Sequence, residues 1–305
     1  MAYDATDPRA SLMKAPEAPV KAPQGPAADA QYGLFYKEPP QVDDANGKTW
    51  YSRGSNFICA YSELKPGAVL ERSNQPDEYC VYLNDEDTPM IAEAGGQTEK
   101  TDGYALGIIP PGQSKLTFPE GGRVVRFFTT KSKDLAEKCA NAAFYKTMPF
   151  NVAPFEPWPD PVDGFKIRIY SLDVPAEPGR LGRIFRCTTF MWNVPYKQMG
   201  ARDTSKLSPH HHDDFEQCSL IMAGTYIHHM RWPWTVDQQY WREDAHAVVE
   251  TPSITVIPPP VIHTSVGTAE ENQLIDIFCP PRVDFSMKAG WVLNADEYPM
   301  PETRN

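Results

Sequence analysis

Residues 208–217 read SPHHHDDFEQ, and three of the chain's seven histidines, all of which follow residue 209, stand here side by side. In an extended segment successive side chains alternate, so His210 and His212 share one face and His211 points away. Glu216 comes four residues after His212, at the start of the apolar run EQCSLIMAG. His263 comes 47 residues later, behind a Pro-Pro-Pro turn that closes the run SITVI. Brought together on neighbouring antiparallel strands, His210, His212, Glu216 and His263 would offer three imidazoles and one carboxylate to a divalent transition metal. Ligand type leaves Fe(II), Mn(II), Ni(II) and Zn(II) open. A six-coordinate ion held this way keeps two positions for a small-molecule substrate and for water or O2. Residues 210–216 alone also suit a solvated loop; the distant His263 selects the metal reading.

Other residues extend this chemistry. In the run TYIHHMRW, His228 and His229 are neighbours, so one of them faces inward. An inward histidine there, together with Tyr226, would hold or move a proton near the metal. Arg231, with Arg186 and Arg242, is a candidate to grip a substrate carboxylate through a bidentate pair. Phe190, Trp192, Tyr226, Trp232, Trp234, Tyr240 and Trp241 surround the site in sequence, which fits a planar substrate and equally a packed core. Cys218 lies on the same face as Glu216 and reads as pocket lining, whereas His246 falls in a loop.

The elements that must position these residues are strands. Short apolar runs bounded by Pro, Gly, Asn or Asp fill the text from about residue 31, and the chain has 31 prolines. One stretch, 131–146, has a helical pattern. Residues 1–30 are Ala- and Pro-rich without an apolar period and read as a flexible arm. The Pro-rich segment 148–161 reads as a linker. The two halves repeat. IIPPGQSK aligns with VIPPPVIH at an offset of 148, setting Lys115 opposite His263. ERSNQPDEYCVYL aligns with SPHHHDDFEQCSLI at an offset of 138, setting Arg72, Asn74 and Glu78 opposite His210, His212 and Glu216. The second half therefore carries an insertion, placed in RWPWTVDQQYW, which holds three of the seven tryptophans. That segment reads either as a lid or as a hairpin extension that packs on another subunit.

Composition narrows the class. A formal charge of −11 disfavours nucleic acid and anionic membrane surfaces as partners. No segment has the length of apolar residues a membrane helix needs, and the N-terminus lacks the pattern of a signal peptide. Six scattered cysteines with no CxxC pair read as buried, reduced thiols, pointing to a cytoplasmic protein.

The pattern resembles the cupin superfamily, whose first motif is HxH, three or four residues, then Glu and a later Gly. Here these are His210, His212, Glu216 and Gly224, with seven residues before the glycine rather than six. The second motif, PxGxxH, appears as PPPVIH at 258–263, with Pro260 in the place of Gly; PPGQSK at 110–115 is its counterpart in the first half. The resemblance covers roughly residues 35–290 and implies an all-β protein of two jelly-roll barrels in tandem with few short helices. It divides the chain into the arm 1–30, a first barrel over 31–147, a linker over 148–165 and a second barrel over 166–295. Arg72, Asn74, Glu78 and Lys115 cannot chelate a divalent ion, so the first barrel reads as metal-free, with a buried ion pair or an anion pocket at that place. Bicupins with one intact site are similar to ring-cleaving dioxygenases acting on gentisate or hydroquinone, which implies Fe(II) ahead of Zn, Mn or Ni and an oxidoreductase. The alternatives are a non-redox isomerase, lyase or decarboxylase on a sugar acid or keto acid, and a metal-containing binding protein. The superfamily also implies a homo-oligomer.

Overall fold

The computed structural model describes residues 25–149 and 151–302. Turn residues break the first half into β1 (Gln31–Gly33), β2 (Val42–Asp44), β3 (Gly47–Arg53), β4 (Phe57–Leu64), β5 (Ala68–Gln75) and β6 (Tyr79–Leu83). It continues with β7 (Met90–Ala94), β8 (Gln97–Thr101), β9 (Ala105–Ile109), β10 (Gly112–Phe118) and β11 (Gly122–Thr129). The second half supplies β12 (Arg168–Ser171), β13 (Arg183–Arg186), β14 (Met191–Val194), β15 (Gln198–Met199) and β16 (Gln217–Ala223). There follow β17 (Thr225–Arg231), β18 (Ala245–Glu250), β19 (Ser253–Ile257), β20 (Ile262–Gly267) and β21 (Glu271–Phe278). Among the described residues the α-helices are two single turns, α1 (Lys133–Ala136) and α2 (Val283–Ser286). Among the described residues no helix is long and apolar enough to cross a membrane. The protein is all-β, as its periodicity predicts.

Each half closes as two packed sheets. In the first, β12-β9-β6-β11-β4-β3-β2 packs on β5-β10-β7-β8 around Ile58, Tyr79, Met90, Leu116 and Phe128. In the second, β1-β19-β16-β21-β14-β13, with β15 on β21, packs on β18-β17-β20. The insertion falls between β17 and β18, where the first half has only the Gly95-Gly96 turn. Gly224 links β16 to β17 at φ +85°, and a Cβ there would lie 2.5 Å from the Glu271 carbonyl oxygen.

The barrels share their largest core. Phe57, Tyr82 and Phe127 of one interlock with Phe190, Trp192, Cys218 and Ile254 of the other. They also trade edge strands: β1 pairs with β19 and β12 with β9. Two buried carboxylates complete the joint in a nearly symmetric way. Glu78 accepts from the Thr188 amide (3.1 Å), the Thr188 hydroxyl (2.7 Å) and the Tyr298 hydroxyl (2.9 Å). Glu216 accepts from the Ser55 amide (2.6 Å), the Ser55 hydroxyl (3.0 Å) and the Tyr145 hydroxyl (3.3 Å). Each glutamate immediately precedes a strand of its own barrel and is satisfied by the other side of the joint.

Several expectations need correction. The helical pattern at 131–146 yields only α1 and a 3-10 turn at Phe144–Lys146. The edge of β3 competes for the backbone: Ala140 N–H donates to the Tyr51 carbonyl (2.9 Å), and the Asn141 amide pairs with both backbone groups of Arg53 (3.0 and 2.8 Å). Residues 25–30 of the expected arm are docked on the second barrel, where Ala27 and Ala30 are buried with Met230 and Trp232, and Trp232 donates to the Ala28 carbonyl. The remainder of that arm, 1–24, lies outside the described residues. The linker is likewise tied down, by Ala153 N–H to Asp214 and Trp158 N–H to Thr188 (both 2.8 Å). In the first barrel the four aligned positions do not converge. Arg72 pairs with Asp134, Lys115 with Glu93, Asn74 is exposed and Glu78 is in the joint. A bulge between Gly112 and Ser114 sets Ser114, not Lys115, opposite Arg72.

Burial raises Glu78 above its ordinary 4.5, against the Thr188 and Tyr298 hydrogen bonds. A raised folded value means that the folded chain binds the proton more tightly than the unfolded chain. This group's contribution is therefore full below pH 4.5 and is lost as pH rises through the folded value. Glu78→Gln removes that loss. Its melting temperature relative to the parent should climb as pH is raised from about 4 to about 8, and a constant difference across that range would refute the assignment.

Candidate metal centre

The segment before β16 runs beside β20, and the two meet at one antiparallel bridge between His210 and His263. His210 N–H donates to the His263 carbonyl (3.0 Å) and His263 N–H returns the bond (2.7 Å). With His212 on the same face as His210, the three buried imidazoles bring ligand atoms within 4.8 Å of one another. This is the convergence that the HxH spacing and the distant histidine predict.

The tautomers follow from the partners. His210 Nδ1 meets the Ser208 carbonyl (2.9 Å) and His263 Nδ1 meets the Val261 carbonyl (3.0 Å). A carbonyl only accepts, so Nδ1 carries the proton and Nε2 is left as the lone-pair nitrogen on both rings. His212 is pushed well below the ordinary histidine range, first by burial and then by Arg282 and the other two imidazoles, so it is neutral. Phe215 stacks on its ring at 4.5 Å and Phe278 meets it edge-on at 5.7 Å.

The fourth group is Gln217, not Glu216. Adjacent residues face opposite ways, and Glu216 is turned into the joint between the barrels. There burial pushes its carboxyl up to about 7, opposed by the Ser55 and Tyr145 hydrogen bonds. The Gln217 amide nitrogen donates to Asp276 (2.9 Å) and to the Ser219 hydroxyl (3.1 Å). Asp276 only accepts, so this contact fixes which end of the amide is which. Oε1 then faces His212 Nε2 at 2.9 Å and His263 Nε2 at 3.2 Å. In neutral His263 that contact sets a nitrogen lone pair against an oxygen lone pair, an arrangement that a cation between them relieves. The donors therefore fit a divalent metal, which His210, His212, His263 and the Gln217 oxygen would hold. The sequence carried the signal: counted from Gln217, the residues before Gly224 number six, the family's spacing.

A cavity of about 240 Å3 opens beside the cluster, with His210, His263 and Gln217 in its wall. Arg202, which sequence reasoning passed over, lines it; its guanidinium donates to the Ser265 carbonyl (2.7 Å) and the Ser208 hydroxyl (3.0 Å). Tyr226 also lines the cavity, and burial raises its phenol further, so it stays protonated. Of the histidine pair, His228 faces in: it is fully buried and its Nδ1 lies 2.7 Å from the hydroxyl of Ser265. Burial, then His263 and His229, push it down to about 3. His229 faces outward and pairs with His246 on the neighbouring strand, at 2.7 Å between Nδ1 atoms, so His246 belongs to β18 rather than to a loop.

Other nominated residues lie elsewhere. Arg231 is exposed on the outer face and paired with Asp244. Arg186 is buried but clamps the Tyr298 carbonyl, and Arg242 pairs with Asp29. Phe190, Trp192 and Cys218 belong to the joint between the barrels. Trp234 and Trp241 stack on each other at 4.4 Å on the outside, and neither lines the histidine cavity. Of the seven aromatic residues nominated, only Tyr226, on β17, lines that cavity.

No family model and no curated protein matches the chain. Solved structures do. AerE from Microcystis aeruginosa superposes with a TM-score of 0.53 at 11% identity, over 78% of this chain and 94% of that one. A Lactobacillus farciminis oxalate decarboxylase in complex with formate gives 0.52 at 11% identity, over 85% and 88%. A single-residue mutant of the Bacillus subtilis oxalate decarboxylase gives 0.50 at 11% identity, over 88% and 80%. Likeness at this level defines the fold, two cupin-type barrels in tandem.

Replacement separates the two neighbours. Gln217→Ala should weaken metal binding about tenfold to a hundredfold in a competition titration. Glu216→Ala should keep metal stoichiometry yet lose at least about 1–3 kcal/mol of stability, because it strands the Ser55 and Tyr145 donors. His263→Ala should empty the site, and full metal occupancy in that variant would refute the ligand set.

Proposed function

We propose that the chain is a metal-dependent cupin enzyme acting on a small anionic substrate, a carboxylic or keto acid, by non-redox chemistry: decarboxylation, isomerisation or lyase cleavage. The observation that carries this reading is a donor set of three imidazoles and one amide opening on a polar cavity of about 240 Å3. Such donors bring no negative charge, so the loaded site stays cationic and favours an anion. A divalent metal there, whether Mn(II), Fe(II), Ni(II) or Zn(II), supplies Lewis acidity to a substrate oxygen.

The chain's own residues do the rest. Arg202 places a guanidinium at the cavity wall to orient a carboxylate. Tyr226, whose phenol stays protonated, offers a hydrogen-bond donor at the cavity wall. With a value near 3, His228 is too weak a base to hold a proton at neutral pH, so it acts on the Ser265 hydroxyl as a positioning residue. The Asp276 carboxylate accepts hydrogen bonds from Gln217 and Ser219 and so orients the amide. The tryptophans that would fit a planar aromatic substrate lie away from the cavity: Trp192 in the joint, Trp232 under residues 25–30, and Trp234 and Trp241 on the outer surface. The oxalate decarboxylases among the structural neighbours act on a small acid of the proposed kind.

The test is turnover of a panel of small keto acids and dicarboxylic acids by protein loaded in turn with each of the four metals, under argon and in air. Product should form equally well without O2. Arg202→Leu should lower kcat/KM about tenfold to a hundredfold, mainly through KM. Turnover confined to dihydroxylated aromatic acids and requiring O2 would instead establish the dioxygenase.

A further inference from the structure

The two barrels each keep a cavity of nearly the same size, about 240 Å3 in the second and about 250 Å3 in the first. Strand register relates them. On β11, Phe127 pairs with Cys80 and Arg126 with Val81; on β21, Ile277 pairs with Cys218 and Asp276 with Ser219. Cys80 and Cys218 are repeat partners at the 138-residue offset, so Arg126 stands in the first barrel where Asp276 stands in the second. Each lines its own barrel's cavity. Where one barrel turns a carboxylate inward, the other turns a guanidinium.

Arg126 is only 5% exposed. It lies over the Phe128 ring at 5.6 Å, its Nε has no hydrogen-bond partner, and among the described residues no carboxylate or carbonyl pairs with it. Other arginines buried this deeply are paired: Arg168 with Glu297, Arg183 with the Leu172 and Val194 carbonyls, Arg186 with the Tyr298 carbonyl. A desolvated charge without a counter-group is costly, and the cost is met when an anion enters. Arg72, in the same wall, is already committed to Asp134 through two bonds of 2.6 and 3.0 Å. The exposed Lys138 adds a cation, and the exposed Asp44 and Glu71 add the carboxylates of the lining. Leu64, Val69, Leu70 and Leu135 supply an apolar wall.

We propose that the first barrel binds a small organic carboxylate, its charged end on Arg126 and its hydrocarbon body against Leu64, Val69, Leu70 and Leu135. An apolar wall beside a single uncommitted buried guanidinium fits a singly charged acid with a short hydrocarbon part. Inorganic phosphate has no apolar part to cover the leucines and carries more charge than one fork neutralises. The inference stands apart from the reading of the histidine site.

The experiment is isothermal titration of the full chain with butyrate, benzoate and inorganic phosphate, in the parent, Arg126→Met and Arg126→Lys, each with and without His263→Ala, which empties the histidine site. At least one carboxylate should bind the parent and His263→Ala at a common site. Its affinity should fall about tenfold or more in Arg126→Met and less in Arg126→Lys, which keeps the charge without the fork. Without ligand, Arg126→Met should melt no lower than the parent, because it removes an unpaired buried charge. In the His263→Ala background, carboxylate binding that survives Arg126→Met, no carboxylate binding at all, or phosphate bound more tightly than both carboxylates would overturn the proposal.

Discussion

Two reciprocal backbone hydrogen bonds between His210 and His263 hold the centre in register. Each imidazole then turns back on its own strand, Nδ1 to a carbonyl two residues earlier, so main-chain pairing settles both ring orientation and tautomer. His212 follows from alternation, and Gln217 follows from the start of β16. The donors are thus placed by backbone geometry first and by side-chain packing second. The amide is the exception, since Asp276 and Ser219 must orient it.

The joint between the barrels depends on the same parity. Because a glutamate stands just before β6 and before β16 and faces the opposite way from the next residue, the inward places go to Tyr79 and Gln217 while Glu78 and Glu216 go to the joint. In the first barrel the Tyr79 hydroxyl meets Ser114 at 2.8 Å, so a neutral hydrogen bond stands where the second barrel gathers donors. One scaffold carries two interiors of different chemistry, and Arg126 against Asp276 is the sharpest form of that difference.

Much of this was legible in the residues. Period-2 runs and turn residues define an all-β chain, the repeat offsets locate equivalent strands, and three histidines at those offsets converge. The insertion falls where the ten-residue change of offset requires. Glu216 faces the joint and Gln217 the histidines because adjacent strand residues alternate, which residue type alone does not display. The Lys115 alignment missed a bulge, which text cannot display. The helix at 131–146 lost to hydrogen bonds with β3, a long-range competitor invisible to local periodicity. Arg202 has no local signal at all, since only the folded path of residues 200–209 brings it to the cavity.

The traded edge strands bear on how the chain is made. As it leaves the ribosome, the first barrel's sheet lacks its last member until Arg168–Ser171 emerges, well past the segment that separates the repeats. β1, among the earliest described residues, must wait for Ser253–Ile257 before its hydrogen bonds can form. Neither repeat can therefore finish alone during synthesis, and an unpaired strand edge stays open until the other arrives. The gene encodes two repeats, but the unit of folding is the whole chain.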